Sequence, residues 1–431
     1  MTTTGNLSTA RASALYIGAL LGPSLLLLPG LAAELAGPAS ILAWLLLLIV
    51  SAMLARVFTA LGTRFRSAGG VAAYTEAGLG PRAGRAVAWC FLAGVICGAP
   101  IVCLIGGGYV AVLLGGGRGA SLGAAAVLLV AVIALTLGGA RATAAAQLVL
   151  ICLLVLLVVV AVVGSAPAAR TANWQPFLPH GWSSIGSATS VLMMSAVGWE
   201  AIAPLTTRLR DPRRQLPRVI LIAFVVTMIF YLGLAVSTLS VLGPQAGSAT
   251  PLSDLLRVAV GPAGPAIAAV AAVALTLACT NAYLTGAAAL AAALRAPAGP
   301  ARRAQRPAGE RESRLLQIGT GAVGLIILGG AATGLLSTTQ LVALPTALFL
   351  TVYLGCTAAA TRILRGGTRV IAGLAFGTVA AILCFAGWAL LGVLAVVLLG
   401  AILPQGADLR EGSGVRPNPA PSRVPAGLGM R

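Results

Sequence analysis

Ala19-Leu20-Leu21-Gly22-Pro23-Ser24-Leu25 interrupts the first of twelve hydrophobic stretches, and Ser195-Ala196-Val197-Gly198-Trp199-Glu200 interrupts the sixth. An interrupted membrane helix is costly, because lipid cannot satisfy the backbone N–H and C=O groups that the interruption frees. Interruptions persist where the backbone lines a cavity. Two of them at matching positions of two halves are the sequence mark of a secondary transporter's binding site.

The surrounding composition fits a bilayer. Of 431 residues, 59% are hydrophobic and only 9% charged, and mean hydropathy is +1.00. Soluble domains carry about a quarter charged residues, so the sequence predicts an all-α polytopic membrane protein. The apolar run from residue 12 to 36 is long enough to span, and no small-residue cleavage site ends a shorter hydrophobic core. It is therefore expected to stay in the mature chain.

The net charge of +19 invites a nucleic-acid partner, and its distribution argues against one. No lysine occurs; the basic residues are arginines and the lone His180. With the N-terminus in the cytoplasm, 25 of the 28 arginines fall in cytoplasmic segments, and only Arg118, Arg170 and Arg257 fall outside. This is the positive-inside pattern. It places the protein in the cytoplasmic (inner) membrane with both termini inside, and the partners it implies are membrane lipids and a small molecule, not nucleic acid.

Spans are predicted at 12–36, 38–60, 84–113, 121–139, 145–165, 184–207, 217–242, 263–294, 314–336, 339–361, 369–386 and 387–404. The last two share about 35 apolar residues, with Phe385-Ala386-Gly387-Trp388 as the turn. Two spans there keep the arginine-rich tail inside. Five spans precede the sixth, so a second five-helix unit beginning there has inverted topology. The predicted organisation is a cytoplasmic N-terminus (1–11), a first repeat (12–165), a second repeat (166–361), two further helices (362–404) and a disordered tail (405–431). Residues 297–312 read as a basic cytoplasmic linker.

Gly22 permits unusual backbone angles and Pro23 removes a donor. The N–H groups of Ser24 and Leu25 then open a half-helix whose positive end suits a carboxylate; a simple proline kink is the alternative. Glu200 is the only acid well inside a predicted span, and an ionisable group at that depth is a functional candidate by default. It serves gating or proton coupling, or pairs structurally with an arginine near the inner mouth. Trp199 is a movable lid over a substrate or a packing residue. No other acid is placed to meet a charged side chain, so a neutral, apolar substrate fits best. Cys90, Cys97, Cys103, Cys152, Cys279, Cys356 and Cys384 all lie within apolar runs without metal-ligand spacing. No metal site and no cofactor are expected.

Several motifs resemble those of the amino acid–polyamine–organocation superfamily. Gly18-Ala-Leu-Leu-Gly22-Pro-Ser24 with Pro29-Gly30 and Ala36-Gly37-Pro38 is similar to its first-helix signature. Ser67-Ala-Gly69-Gly70-Val-Ala-Ala-Tyr74 with Gly78-Leu-Gly80-Pro81, Gly84 and Trp89 resembles its loop after helix two. Asn173-Trp-Gln-Pro176-Phe-Leu-Pro179-His-Gly181 resembles the external segment before helix six. Gly198-Trp199-Glu200 and Asp211-Pro212-Arg213-Arg214-Gln-Leu-Pro217-Arg218 follow, then Asn281-Ala-Tyr283 and Ala347-Leu348-Phe349-Leu350 through Tyr353-Leu354. The motifs keep family order over residues 15–365.

The resemblance implies a LeuT-like five-plus-five inverted repeat with helices one and six broken. It also implies that substrate carboxylate and amino groups meet backbone at Gly22, Pro23, Ser24 and Leu25 and at Ser195, Ala196, Val197 and Gly198, beside Trp199. Side-chain selectivity would come from helices three, six, eight and ten, with Asn281 and Phe349 as cavity-lining candidates. Three departures stand out. Ser24 replaces the second glycine of the first-helix motif. Thr207-Arg208 stands where many members carry an acid. Ala287-Ala288-Ala289 lacks a sodium-binding hydroxyl, though Thr285 is near. Sodium coupling is disfavoured; proton coupling, exchange and uniport stay open. The first-helix run looks nearest to a branch exporting methionine and branched-chain amino acids.

The function expected is therefore amino-acid transport by alternating access, by a permease that is proton-coupled or an antiporter. The alternatives are a non-transporting sensor or scaffold with the same fold, or a carrier of other organic amines. An intramembrane enzyme would need a reactive constellation; no His-Glu-x-x-His run, paired aspartates or Ser–His pair occurs. No Gly-x-x-x-x-Gly-Lys loop supports ATP-driven pumping.

Overall fold

The computed structural model describes residues 8–65, 70–139, 144–201, 209–295 and 310–402, and among these the architecture is all-helical. Ser8 opens α1 (Thr9–Leu20), its hydroxyl accepting the Arg11 amide at 3.3 Å. The helix stops because Gly22-Pro23 follows: proline has no N–H with which to continue the ladder. A second helix, α2 (Ser24–Ala36), restarts immediately. Gly37, at φ +59°, ends α2, and a single 3₁₀ turn leads into α3 (Ser40–Arg64). Residues 24–64 form an apolar stretch of 41 residues. At 1.5 Å per residue it would measure about 60 Å, twice the bilayer core, so the Gly37 turn separates two crossings.

Continuing along the chain come α4 (Gly70–Leu79), α5 (Pro81–Leu113), α6 (Arg118–Leu137), α7 (Ala144–Ser165) and α8 (Ser183–Leu192). Then follow α9 (Pro212–Ser237), α10 (Pro251–Val260), α11 (Ala263–Arg295), α12 (Glu310–Thr333), α13 (Thr338–Ile363), α14 (Gly367–Leu383) and α15 (Ala389–Ile402). Nine helical stretches among the described residues are long and apolar enough to cross a membrane. Gly387, at φ +57°, separates α14 from α15, so the last apolar stretch forms two helices, the second shorter.

Two short helices were not anticipated. The segment after the second span, read as a loop, forms α4 and packs on α5 and α13. Its glycines signal a turn in sequence, but Gly78 lies so close to the Ala359 backbone that no Cβ would fit. Between the seventh and eighth spans, α10 buries Leu252, Leu255 and Leu256 on one face. Residues 67–69, Thr207-Arg208, most of the 297–312 linker and the 405–431 tail lie outside the described residues.

The interrupted helices sit at the centre. Residues Ser24 through Ala33 of α2 are all buried. Around them α1 packs on α9, α2 and α3 on α8, and α5 on α11 and α13. Outward faces stay apolar: Val127 and Val130, Leu156 and Val163, Leu325 and Ile326, and Leu391 are all exposed on the periphery. In lipid such faces carry no desolvation penalty, so the bundle is held by internal packing and polar contacts.

Candidate functional site

At the first interruption the carbonyls are quickly used. Leu25 N–H donates to Gly22 O at 3.1 Å and Leu26 N–H to Pro23 O at 3.0 Å, closing the first turn of α2. Among the described residues no acceptor meets the N–H of Gly22 or Ser24. An N-terminal helix turn with open N–H groups carries positive partial charge.

The second interruption is finished differently. α8 tightens into a 3₁₀ turn at Met193–Ala196, turns sharply at Val197-Gly198, and resumes as a 3₁₀ turn at Trp199–Ala201. Gly198 has φ +133°, and a Cβ there would lie 2.6 Å from the Ala19 carbonyl oxygen. Only glycine allows both that backbone angle and that contact. The two interruptions therefore touch.

Tyrosine hydroxyls take up the freed carbonyls. Tyr231, on α9, lies 2.8 Å from Leu20 O and 3.0 Å from Ser195 O, so its single hydroxyl proton is shared between the two breaks. Tyr353, on α13, donates to Ala196 O at 2.7 Å. Tyr16, on α1, donates to Trp199 O at 3.2 Å. Each such carbonyl left bare at this depth would cost about 1–3 kcal/mol. Glu200 is buried; its Oε2 accepts Gly198 N–H at 2.9 Å and lies 2.6 Å from the Tyr353 hydroxyl, and its Oε1 lies 3.4 Å from that of Tyr283. Among the described residues no arginine pairs with it.

Between the breaks lies a cavity. Gly22, Pro23, Ser24, Val197 and Phe349, all singled out from sequence, line it. Gly94, Gly98, Cys279, Thr280 and Tyr283 line it too. The other candidates lie behind its wall. Leu25, Ser195, Ala196 and Trp199 are buried in the core, and Ser195 Oγ donates to Leu192 O at 2.6 Å. Trp199 packs edge-on against Tyr16, with ring centroids 5.9 Å apart. Asn281 faces α6, its Oδ1 2.8 Å from Thr136 Oγ1. No group of three metal-ligating side chains occurs among the described residues.

The carbonyl-capping tyrosines were not singled out as site residues from sequence, nor was Thr280. The available signal was a hydroxyl within an apolar span, which must find a partner when buried. The Thr280 hydroxyl is buried without a partner, as are those of Ser13, Tyr74, Ser165, Thr227, Thr238 and Ser253.

Comparison with known proteins gives the family. A family described as "Amino acid permease" matches residues 7–405. YecA, an uncharacterized amino acid permease of Bacillus subtilis, is 31% identical over 387 residues, 88% of this chain and 90% of its own. YjeH, the L-methionine/branched-chain amino acid exporter of Escherichia coli, is 28% identical over 298 residues, 66% of each chain. An uncharacterized transporter of Mycobacterium tuberculosis is 40% identical over 82 residues, 19% of this chain and 18% of its own. The chain thus belongs to the amino acid permease family, within the amino acid–polyamine–organocation superfamily whose motifs run through its sequence.

Proposed function

We propose that this protein is a secondary transporter carrying neutral, largely apolar amino acids across the cytoplasmic membrane by alternating access. One observation carries the reading: a cavity opens between two interrupted helices, exposes the start of α2, and has no acid or arginine among its lining residues. The open N–H groups at Gly22 and Ser24 receive the substrate carboxylate. The side chain lies towards Gly98, Pro345 and Phe349, which line the cavity. The likeness to a methionine and branched-chain exporter favours side chains of that size and outward movement.

In this reading the chain crosses the membrane twelve times, with α1 to α7 and α8 to α13 as inverted five-span repeats and both termini cytoplasmic. Contact between the two breaks, and the arginine asymmetry, support it.

Glu200 couples protons to the state of the second break. Tyr353 has one hydroxyl proton and two neighbours, Ala196 O at 2.7 Å and Glu200 Oε2 at 2.6 Å. When Glu200 is protonated it donates to Tyr353, which donates to Ala196, and all groups are satisfied. When Glu200 is ionised it accepts the hydrogen bond of the Tyr353 hydroxyl, and Ala196 O loses its cap. Protonation thus closes the second break, and deprotonation loosens it.

The test is uptake and counterflow of a radiolabelled amino-acid panel in proteoliposomes, with and without a proton gradient. Counterflow of a neutral apolar amino acid, with accumulation driven by the gradient, is expected. Flux of other organic amines alone would replace the substrate class. Absence of any flux would contradict the transporter reading.

A further inference from the structure

Two helix faces oppose each other across the end of the cavity away from the breaks. Gly94 and Gly98 stand one turn apart on α5, Pro345 and Phe349 one turn apart on α13, and all four line the cavity. Residues four apart share a face, and each glycine meets one of the two α13 residues. The two pairings differ. A Cβ at Gly94 would stand 3.1 Å from Phe349 Cε2 and 3.3 Å from two more atoms of that ring. The Phe349 ring is thus seated on Gly94, and Phe91 packs edge-on against it with centroids 5.8 Å apart. Buried between them, Phe349 is a fixed wall.

At Gly98 the space is left open. A Cβ there would meet only Pro345 Cβ, at 3.8 Å, an ordinary van der Waals contact; beyond its own helix turn no other atom lies within 4 Å. Close packing fills such gaps elsewhere in a protein interior. This one faces the cavity, beside a proline whose ring is short and rigid. Gly22, the third glycine of the lining, stands instead at the first break, where the carboxylate is received.

We infer that Gly98 is the specificity-determining residue for side-chain length. The space left by its missing Cβ, beside Pro345, takes the far end of the substrate's side chain and sets the longest one accepted. Gly94 has no such role, because its missing Cβ is already replaced by the Phe349 ring. This inference rests on the amino-acid reading above.

The experiment compares wild type, Gly98→Ala, Gly98→Val and Gly94→Ala as full chains. The measured quantity is competition against counterflow by L-alanine, L-2-aminobutyrate, L-norvaline and L-norleucine, which lengthen by one methylene at each step. In wild type competition should strengthen by about three- to fourfold per step through norleucine. Gly98→Ala should weaken norleucine relative to 2-aminobutyrate by about tenfold or more, moving the best competitor to a shorter chain. Gly98→Val should move it further. Alanine favours a helix over glycine, and here it meets no tight contact, so Gly98→Ala should melt no lower than wild type. Gly94→Ala presses on Phe349 and should lower the melting temperature. Parallel weakening of the whole series in Gly98→Ala, an unchanged series, or a lowered melting temperature of that variant would overturn the inference. The same shortening produced by Gly94→Ala without loss of stability would overturn it as well. Failure of wild type to transport any amino acid would instead remove the amino-acid reading, and this inference with it.

Discussion

The two interruptions share a place in the fold and differ in how their backbone is finished. At the first, Gly22-Pro23 breaks the helix, the Gly22 and Pro23 carbonyls fold into the next turn, Leu20 O meets Tyr231, and the N–H groups of Gly22 and Ser24 meet no acceptor among the described residues. At the second, the carbonyls are capped by tyrosines from α1, α9 and α13, and the Gly198 N–H is capped by Glu200. In the proposed reading the ligand completes the first break, whereas side chains of the protein complete the second. The first therefore reads as a binding surface and the second as a switch, since side-chain caps can be moved by protonation or by displacement of a helix.

Removing the glycine contact should break the arrangement most severely. Gly198→Ala adds a Cβ at φ +133° and 2.6 Å from Ala19 O. Backbone strain of this kind costs ~1–3 kcal/mol before the steric contact is counted. Counterflow should vanish and the melting temperature fall. Normal flux would show that the breaks need not touch.

Next in size is Tyr231→Phe, which removes the one donor shared between a carbonyl of each break. Loss of about 1–3 kcal/mol of stability is expected, together with a flux deficit larger than that of Tyr16→Phe, which uncovers one. Thermal unfolding and counterflow measured on both variants give the ranking. Equal effects would mean that bridging adds nothing to capping.

Glu200→Gln keeps shape and removes the titrating proton. Gradient-driven accumulation should fall to the level of exchange while counterflow persists, as proteoliposome uptake at fixed internal pH will show. Retained accumulation would leave Glu200 as a structural cap of Gly198. The smallest effect belongs to Trp199→Phe. The indole is buried against Tyr16 behind the cavity wall. Stability should drop by ~1 kcal/mol, with the half-saturating substrate concentration unchanged. A large shift in that concentration would restore Trp199 as a lid.

What could be read from sequence divides along the same line. The first break was legible because its cause is local: glycine and proline act on their own backbone. The apolar stretches and the arginine asymmetry were legible because bilayer thickness and loop charge need no tertiary contact. The tyrosine caps were not, because they join residues 211, 183 and 157 positions apart. Asn281 looked like a cavity residue for the same reason: its partner Thr136 is 145 positions away. α4 was read as a loop because Gly69-Gly70 punctuates the chain, whereas packing on α13 decides its conformation.

The central claim, that an amino acid sits between the two breaks, is tested most directly at Cys279. This thiol lines the cavity beside Gly22. In a variant retaining Cys279 alone among the cysteines, the rate of modification by a small maleimide is measured with and without saturating L-leucine or L-methionine. The account predicts that modification blocks counterflow and that the amino acid slows it. Modification proceeding at an unchanged rate at substrate concentrations that saturate flux would contradict it.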